Sequence, residues 1–252
     1  MKILIIRHAE PDYSVDSLTE KGFCEAELLS QFLMSLNISD VYCSTMGRAQ
    51  ATAKPFLEKS GLSAENCDWL REFGGKLAVP EGERPLPWDI LPRVWQSSDG
   101  YFTLDGWLGN PAVVKGGAAD EYRRVTAEFD NVMKKNYGLE RDGLIYKGEN
   151  SDRTIAFFCH FALGSILVSH LTGISPVLLW QGFNQAAASR NNHENRGAQA
   201  WRGYFPLLRL WRRFPPPHGR RACFVNGNVS RTVRRRRRRH LMRQHDLSDI
   251  FK

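Results

Sequence analysis

Ile3, Leu4, Ile5 and Ile6 form an apolar run that stops at Arg7-His8-Ala9-Glu10. A short unbroken run of Ile and Leu reads as a strand buried on both faces, the kind found in parallel sheets. After a loop through Pro11, Ser17 and Glu20 stand three residues apart, like a capping box opening a helix. Phe23, Ala26, Leu29, Phe32, Leu33 and Leu36 then recur at three- and four-residue spacing, predicting an amphipathic helix with that face on a sheet. Residues 40–44 read as a second strand, 48–59 as a helix closed by Gly61, and 66–70 as a third strand ending near Glu72. Further on, the pattern predicts a helix over 120–137, a buried strand over 154–159 and a helix over 162–171 stopped by Gly173. Strands alternating with helices predict an α/β fold, a three-layer α/β/α arrangement around a mostly parallel central sheet.

Residues 74–119 break this rhythm with Gly, Pro, three tryptophans (Trp88, Trp95, Trp107), Tyr101 and Phe102. They read as an inserted lid, either with a small core of its own or with aromatic and basic residues (Arg84, Arg93, Lys115) that select a substrate. The two readings are compatible.

At 252 residues and 42% hydrophobic, the chain has material for one large domain or for one domain with an insertion. The N-terminal apolar run is too short for a signal-peptide core or a membrane span, so a cytoplasmic chain with no membrane partner is expected. Five cysteines (Cys24, Cys43, Cys67, Cys159, Cys223) without a C-x-x-C spacing suit reduced thiols rather than a disulfide framework or a zinc site. Charge divides the chain. Residues 1–185 hold 18 Lys+Arg against 24 Asp+Glu, whereas 186–252 hold 17 against 3. The expected organisation is therefore one domain over 1–185, with an insertion at about 74–119, and an Arg-rich segment over 186–252.

Candidate chemistry gathers at the predicted strand ends. The second strand runs into Ser44-Thr45-Met46-Gly47-Arg48-Ala49, and the late buried strand into Cys159-His160-Phe161-Ala162. Ligands of parallel sheets bind beyond the carboxyl ends of the strands. Two arginines and two histidines converging there suit a phosphoryl dianion, and the helix opening at Ala162 adds backbone N–H groups and a positive dipole end. In this order the residues resemble the histidine phosphatase superfamily, the phosphoglycerate-mutase-like proteins: Arg7-His8 matches its N-terminal signature, Arg48 its second arginine in Ser-x-x-x-Arg-Ala, and His160 its late histidine. The resemblance spans residues 1 to about 185. It implies that His8 is the nucleophile that becomes a phosphohistidine, with Arg7, Arg48 and His160 holding the charge that develops on the phosphoryl oxygens. The implied general acid is Glu72 in Leu70-Arg71-Glu72, with Asp68 and Glu121 as alternatives.

Ala9 stands where the family has Gly, and Glu10-Pro11-Asp12-Tyr13 replaces the Glu-Ser-x-Trp-Asn of cofactor-dependent mutases, which favours a hydrolase. No H-x-x-x-H or H-E-x-x-H spacing occurs, and Arg7 beside His8 would repel a cation, so neither a metal nor a cofactor is expected. His170 reads as a solvated or capping residue of its helix, and Cys159 as inert core.

Arg234–Arg239 is a run of six arginines. It suits a nucleic-acid partner, an anionic partner, nuclear import or a solvated, poorly ordered tail. A third reading fits the abrupt change in usage better: residues 186–252 carry sixteen Arg and one Lys, whereas 1–185 carry nine of each, as if the segment were translated out of frame. CGA codons shifted by one base read GAC, for Asp, and Phe205–Pro217 shifted likewise permits a string like the family's terminal strand. Such a chain would lack its native last strand and leave an unpaired sheet edge. The expected function is a metal-independent phosphomonoesterase acting on a small phosphorylated substrate. The alternatives are a mutase-type phosphotransferase, a sugar-bisphosphatase, or an inactive protein that binds a phospho-ligand, or RNA if the tail is genuine.

Overall fold

The computed structural model describes residues 1–79, 85–90, 92–182, 190–194 and 207–209. Its first elements are β1 (Lys2–Arg7), β2 (Pro11–Asp12), β3 (Ser17–Leu18), α1 (Glu20–Leu33), β4 (Ile38–Ser44), α2 (Gly47–Ser60) and β5 (Ala64–Cys67). Three short helices follow: α3 (Pro92–Trp95), α4 (Leu104–Gly109) and α5 (Pro111–Lys115). The remainder are α6 (Ala118–Tyr137), β6 (Glu140–Asp142), β7 (Ile145–Lys147), β8 (Thr154–Cys159), α7 (Phe161–Thr172), α8 (Pro176–Gly182), β9 (Arg190–Glu194) and β10 (Leu207–Arg209).

The main sheet has the order β10-β9-β1-β8-β4-β5. Strands β1, β8, β4 and β5 run parallel, while β9 and β10 are antiparallel additions. Alternation along each strand splits the core in two. Ile3, Ile5, Ile155 and Phe157 face a cluster shared with α6 and α7, whereas Leu4, Ile6, Ala156 and Phe158 face one shared with α1 and α2. Helices thus cover both faces, as the alternation of elements predicts. Helix α7 is apolar nearly all round because it is buried nearly all round, from Ala162 to Leu171.

Several expectations change. Thr19, not Ser17, caps α1: its side chain accepts the Gly22 N–H at 3.0 Å, while Ser17 pairs with Asp12 in the β2–β3 ladder. Phe23 faces solvent at 47% exposure, and the buried face of α1 is Gly22, Ala26, Leu29, Ser30 and Leu33. Gly22 is needed because a Cβ there would lie 2.2 Å from the Glu10 carbonyl oxygen. The third strand is only Ala64–Cys67, and Asp68–Leu70 form a 3₁₀ turn.

In the 74–119 segment, Trp95, Tyr101 and Trp107 are not a separate small core; they are buried in the same cluster as Ile3, Phe157 and Leu163. Lys115 is exposed, and Arg84 and the Arg93 side chain lie outside the described residues. The edge of β1 is paired rather than open, because β9 runs antiparallel to it from Ile6↔Arg190 to Lys2↔Glu194. The arginine run 234–239 lies outside the described residues.

Candidate active site

The parallel register sets the site. Arg7 stands opposite Cys159 and Cys43 opposite Phe158, so the next residues of β1, β4 and β8 emerge side by side at the carboxyl edge. The His8 N–H donates to the Cys159 carbonyl at 3.0 Å, and the His8 and His160 ring centroids are 5.2 Å apart.

His8 is buried, and its Nδ1 lies 2.7 Å from the Ala9 carbonyl oxygen. A carbonyl only accepts, so Nδ1 carries the hydrogen and the lone pair resides on Nε2. Burial pushes the His8 pKa down to about 4, with Arg7 and Arg48 acting in the same direction against the Ala9 bond, so the ring is neutral at neutral pH. The Ala9 N–H in turn donates to Thr52 Oγ1 at 2.9 Å, and Thr52 Oγ1 donates to the Arg48 carbonyl at 2.7 Å, tying this turn to α2.

His160 is fully buried, and burial, helped by Arg48 and His8, pushes its pKa down to about 2. Its Nε2 is 2.8 Å from Ser44 Oγ, which also accepts the Met46 N–H at 3.2 Å, while its Nδ1 is buried without a hydrogen-bond partner among the described residues. Arg48 sits in the first turn of α2 with only 6% exposure. Its Nη1 donates to Asp16 Oδ1 at 2.6 Å and its Nη2 to Met46 Sδ at 3.4 Å; its Nε has no partner among the described residues. The Arg7 guanidinium lies 5.5 Å from the Phe161 ring, and burial lowers its pKa against the pull of Glu72.

Glu72 follows the 3₁₀ turn after β5. Its Oε1 accepts the N–H groups of Phe73 (2.9 Å), Ala162 (3.1 Å) and Leu163 (3.1 Å). The start of α7, read from sequence as a place for phosphate through Ala162, thus holds a carboxylate of the chain itself. Burial raises the Glu72 pKa, opposed by those N–H groups and by Arg48 and Arg7. The two alternatives are engaged elsewhere: Asp68 accepts from Thr45 Oγ1 at 2.7 Å, and Glu121 grips Arg124 with both oxygens.

The structure therefore brings His8, His160, Arg7, Arg48 and Glu72 together. Sequence reading missed Asp16 and Ser44, although Ser44 was visible as the first residue of Ser-x-x-x-Arg-Ala. His170 is neither solvated nor a cap: it is buried, with Nε2 2.8 Å from Asp130 Oδ1. Cys159 is buried, and burial raises its pKa, as expected of an inert thiol. Among the described residues, no three His, Cys, Asp or Glu side chains are grouped so as to hold a metal ion, and no helix is long and apolar enough to cross a membrane.

Residues 3–82 match a family model described as "Histidine phosphatase superfamily (branch 1)". A protein of Schizosaccharomyces pombe named as a probable phosphatase is 40% identical over 82 residues, a match spanning 29% of this chain and 39% of that protein. In fold, the chain is similar to a phosphoserine phosphatase from Entamoeba histolytica, with TM-score 0.53, 18% identity, and 77% of this chain and 91% of that one covered. It is also similar to an alpha-ribazole phosphatase from Shigella flexneri, with TM-score 0.51, 19% identity, and coverage of 82% and 96%. At such identities these two likenesses concern the fold alone. The matched N-terminal segment contains Arg7, His8, Arg48 and Glu72, and β8 sets His160 beside His8. The likeness to the histidine phosphatase superfamily is thus carried in sequence by residues 3–82, and in fold it extends over most of the chain.

Proposed function

We propose that the chain is a metal-independent phosphomonoesterase that works through a phosphohistidine at His8. One observation carries this reading: a neutral imidazole with its Nε2 lone pair available stands beside two buried donors, Arg48 Nε and His160 Nδ1, that have no partner among the described residues. Buried donors of this kind are rare and costly, and a phosphoryl group is a ligand that would satisfy them.

The His8 Nε2 lone pair attacks phosphorus, and the bond from phosphorus to the ester oxygen breaks. The leaving oxygen takes its electron pair and a proton from the Glu72 carboxyl, whose pKa burial raises. Because Oε1 is held by three backbone N–H groups, Oε2 is the oxygen that carries this proton. Arg7 and Arg48 take up charge on the phosphoryl oxygens. The Ser44 hydroxyl donates a hydrogen bond to His160 Nε2, so the ring's own hydrogen sits on Nδ1, an N–H donor to the same group. Water then attacks phosphorus, Glu72 accepts its proton, and the bond to His8 Nε2 breaks to release phosphate.

The test is hydrolysis of an aryl phosphate by purified protein with a chelator present, followed by a rapid quench and mass spectrometry of the peptide bearing His8. Chelator-resistant turnover with a phosphoryl adduct on that peptide is expected. Turnover without the adduct, or turnover abolished by the chelator, would refute the mechanism.

A further inference from the structure

Asp16 lies on the loop between β2 and β3, outside the residues that the sequence marks for chemistry. It is the one non-glycine residue among those described with a positive φ, at 46°. Asp and Asn reach this left-handed region more readily than other side chains. From there its carboxylate grips two groups at once: Oδ1 accepts from Arg48 Nη1 at 2.6 Å, and Oδ2 accepts the Gly47 N–H at 2.7 Å. The approach is close enough that a Cβ on Gly47 would lie 2.2 Å from the Asp16 carbonyl oxygen. The pairing is unequal, because the Arg48 side chain is 8% exposed and that of Asp16 is 46% exposed. A half-exposed carboxylate thus reaches in to hold a buried cation. Partial burial by itself would raise the Asp16 pKa, but the Gly47 N–H and the Arg48 guanidinium hold it below its ordinary value.

A guanidinium presents its donors in a rigid plane, so fixing one nitrogen fixes the direction of the others. With one hydrogen of Nη1 on Asp16 and one of Nη2 on Met46 Sδ, three N–H donors remain, and among them Nε is buried with no partner among the described residues. We propose that Asp16 is a positioning residue for phosphate: by holding Nη1 and the start of α2 together, it turns the Nε side of Arg48 toward the place where His8 Nε2 and His160 Nδ1 meet the phosphoryl group. The proposal rests on the phosphatase reading for its ligand and concerns how tightly that ligand binds. Asp16 itself touches neither phosphorus nor the leaving oxygen.

The experiment compares wild-type protein with Asp16→Asn and Asp16→Gly. It measures kcat and KM on an aryl phosphate, the affinity for inorganic phosphate by calorimetry, and the urea midpoint. Asparagine keeps the left-handed backbone and an oxygen for Gly47 while removing the charge, whereas glycine keeps only the backbone. In Asp16→Asn, phosphate affinity falls about tenfold and KM rises in step, while kcat and the urea midpoint change much less; Asp16→Gly loses more affinity. Unchanged or tighter phosphate binding in Asp16→Asn overturns the proposal, as does a lowered urea midpoint with phosphate affinity intact. A wild-type protein that binds phosphate without hydrolysing esters defeats the phosphatase reading, and weaker binding by Asp16→Asn then still upholds the role of Asp16. A wild-type protein that binds no phosphate overturns both.

Discussion

Helix α7 carries a buried polar cluster at each end, and the two are finished differently. At its start, His8, His160 and Arg48 are buried with donors at His160 Nδ1 and Arg48 Nε that nothing among the described residues accepts. Near its end, Asp130 Oδ1 accepts from both His170 Nε2 (2.8 Å) and the Tyr146 hydroxyl, and Arg141 donates to Tyr146 Oη at 3.1 Å and to the His170 carbonyl at 2.5 Å. No buried side-chain nitrogen or oxygen there lacks a partner. A polar cluster closed on itself ties elements together, here α6, α7 and the β6–β7 hairpin. One left open by the described residues has donors to spare for a ligand. Openness alone does not make a site: Trp95 Nε1 and Trp107 Nε1 also lack partners among the described residues, but each belongs to an indole packed in the aromatic core.

The sharpest way to break this contrast is His8→Ala. Removing the proposed nucleophile is expected to lower kcat on an aryl phosphate about 10⁴-fold or more while the protein stays folded, checked by steady-state kinetics beside circular dichroism. Residual activity above that level would move the nucleophile elsewhere. Next in size is Arg48→Lys, which keeps the charge but loses the planar fork; kcat/KM should fall about 10²-fold. A loss below threefold would mean that charge alone suffices there.

At the closed cluster the expectation reverses. Asp130→Ala strands His170 Nε2 and the Tyr146 hydroxyl, and should cost about 2 kcal/mol of stability in urea unfolding while kcat per folded molecule stays within about twofold. A catalytic defect without a stability defect would erase the distinction between the two clusters.

The smallest effect concerns pH. The His8 pKa falls from 6.5 to about 4 on folding, so between those values the unfolded chain binds protons that the folded chain refuses. Stability from this source is complete above pH 6.5 and is lost as pH drops toward 4. The slope is at most about 1.4 kcal/mol per pH unit for one histidine. Urea midpoints measured across this range should show a shallower slope in His8→Ala than in wild type. In wild-type protein, the acid limb of kcat/KM should lie nearer 4 than 6.5 if His8 reacts as a neutral ring.

Much of the scaffold was legible in the residues. Strand β8 runs from Thr154 to Cys159 as its unbroken apolar run predicts, and α2 and α7 end on Gly61 and Gly173, both with positive φ. Strand runs, glycine stops and the types of residue at strand ends are local facts, and parallel strands must line up their carboxyl ends. Sequence alone therefore determined that the fold is α/β, that Arg7, His8, Arg48 and His160 meet at one edge, and that the chain resembles a phosphatase family. What it could not decide depends on pairs far apart along the chain. Asp16 reaches Arg48 across 32 residues, Glu72 reaches the Ala162 N–H across 90, and Asp130 reaches His170 across 40. Periodicity carries no trace of such pairs, so His170 looks solvated and the start of α7 looks open to phosphate. Only tertiary packing decided which buried polar groups find partners among the described residues and which, like Arg48 Nε and His160 Nδ1, do not. The physical reason is that a hydrogen bond is satisfied or lost over a few tenths of an ångström, a precision set by the packed fold and not by the spacing of residues.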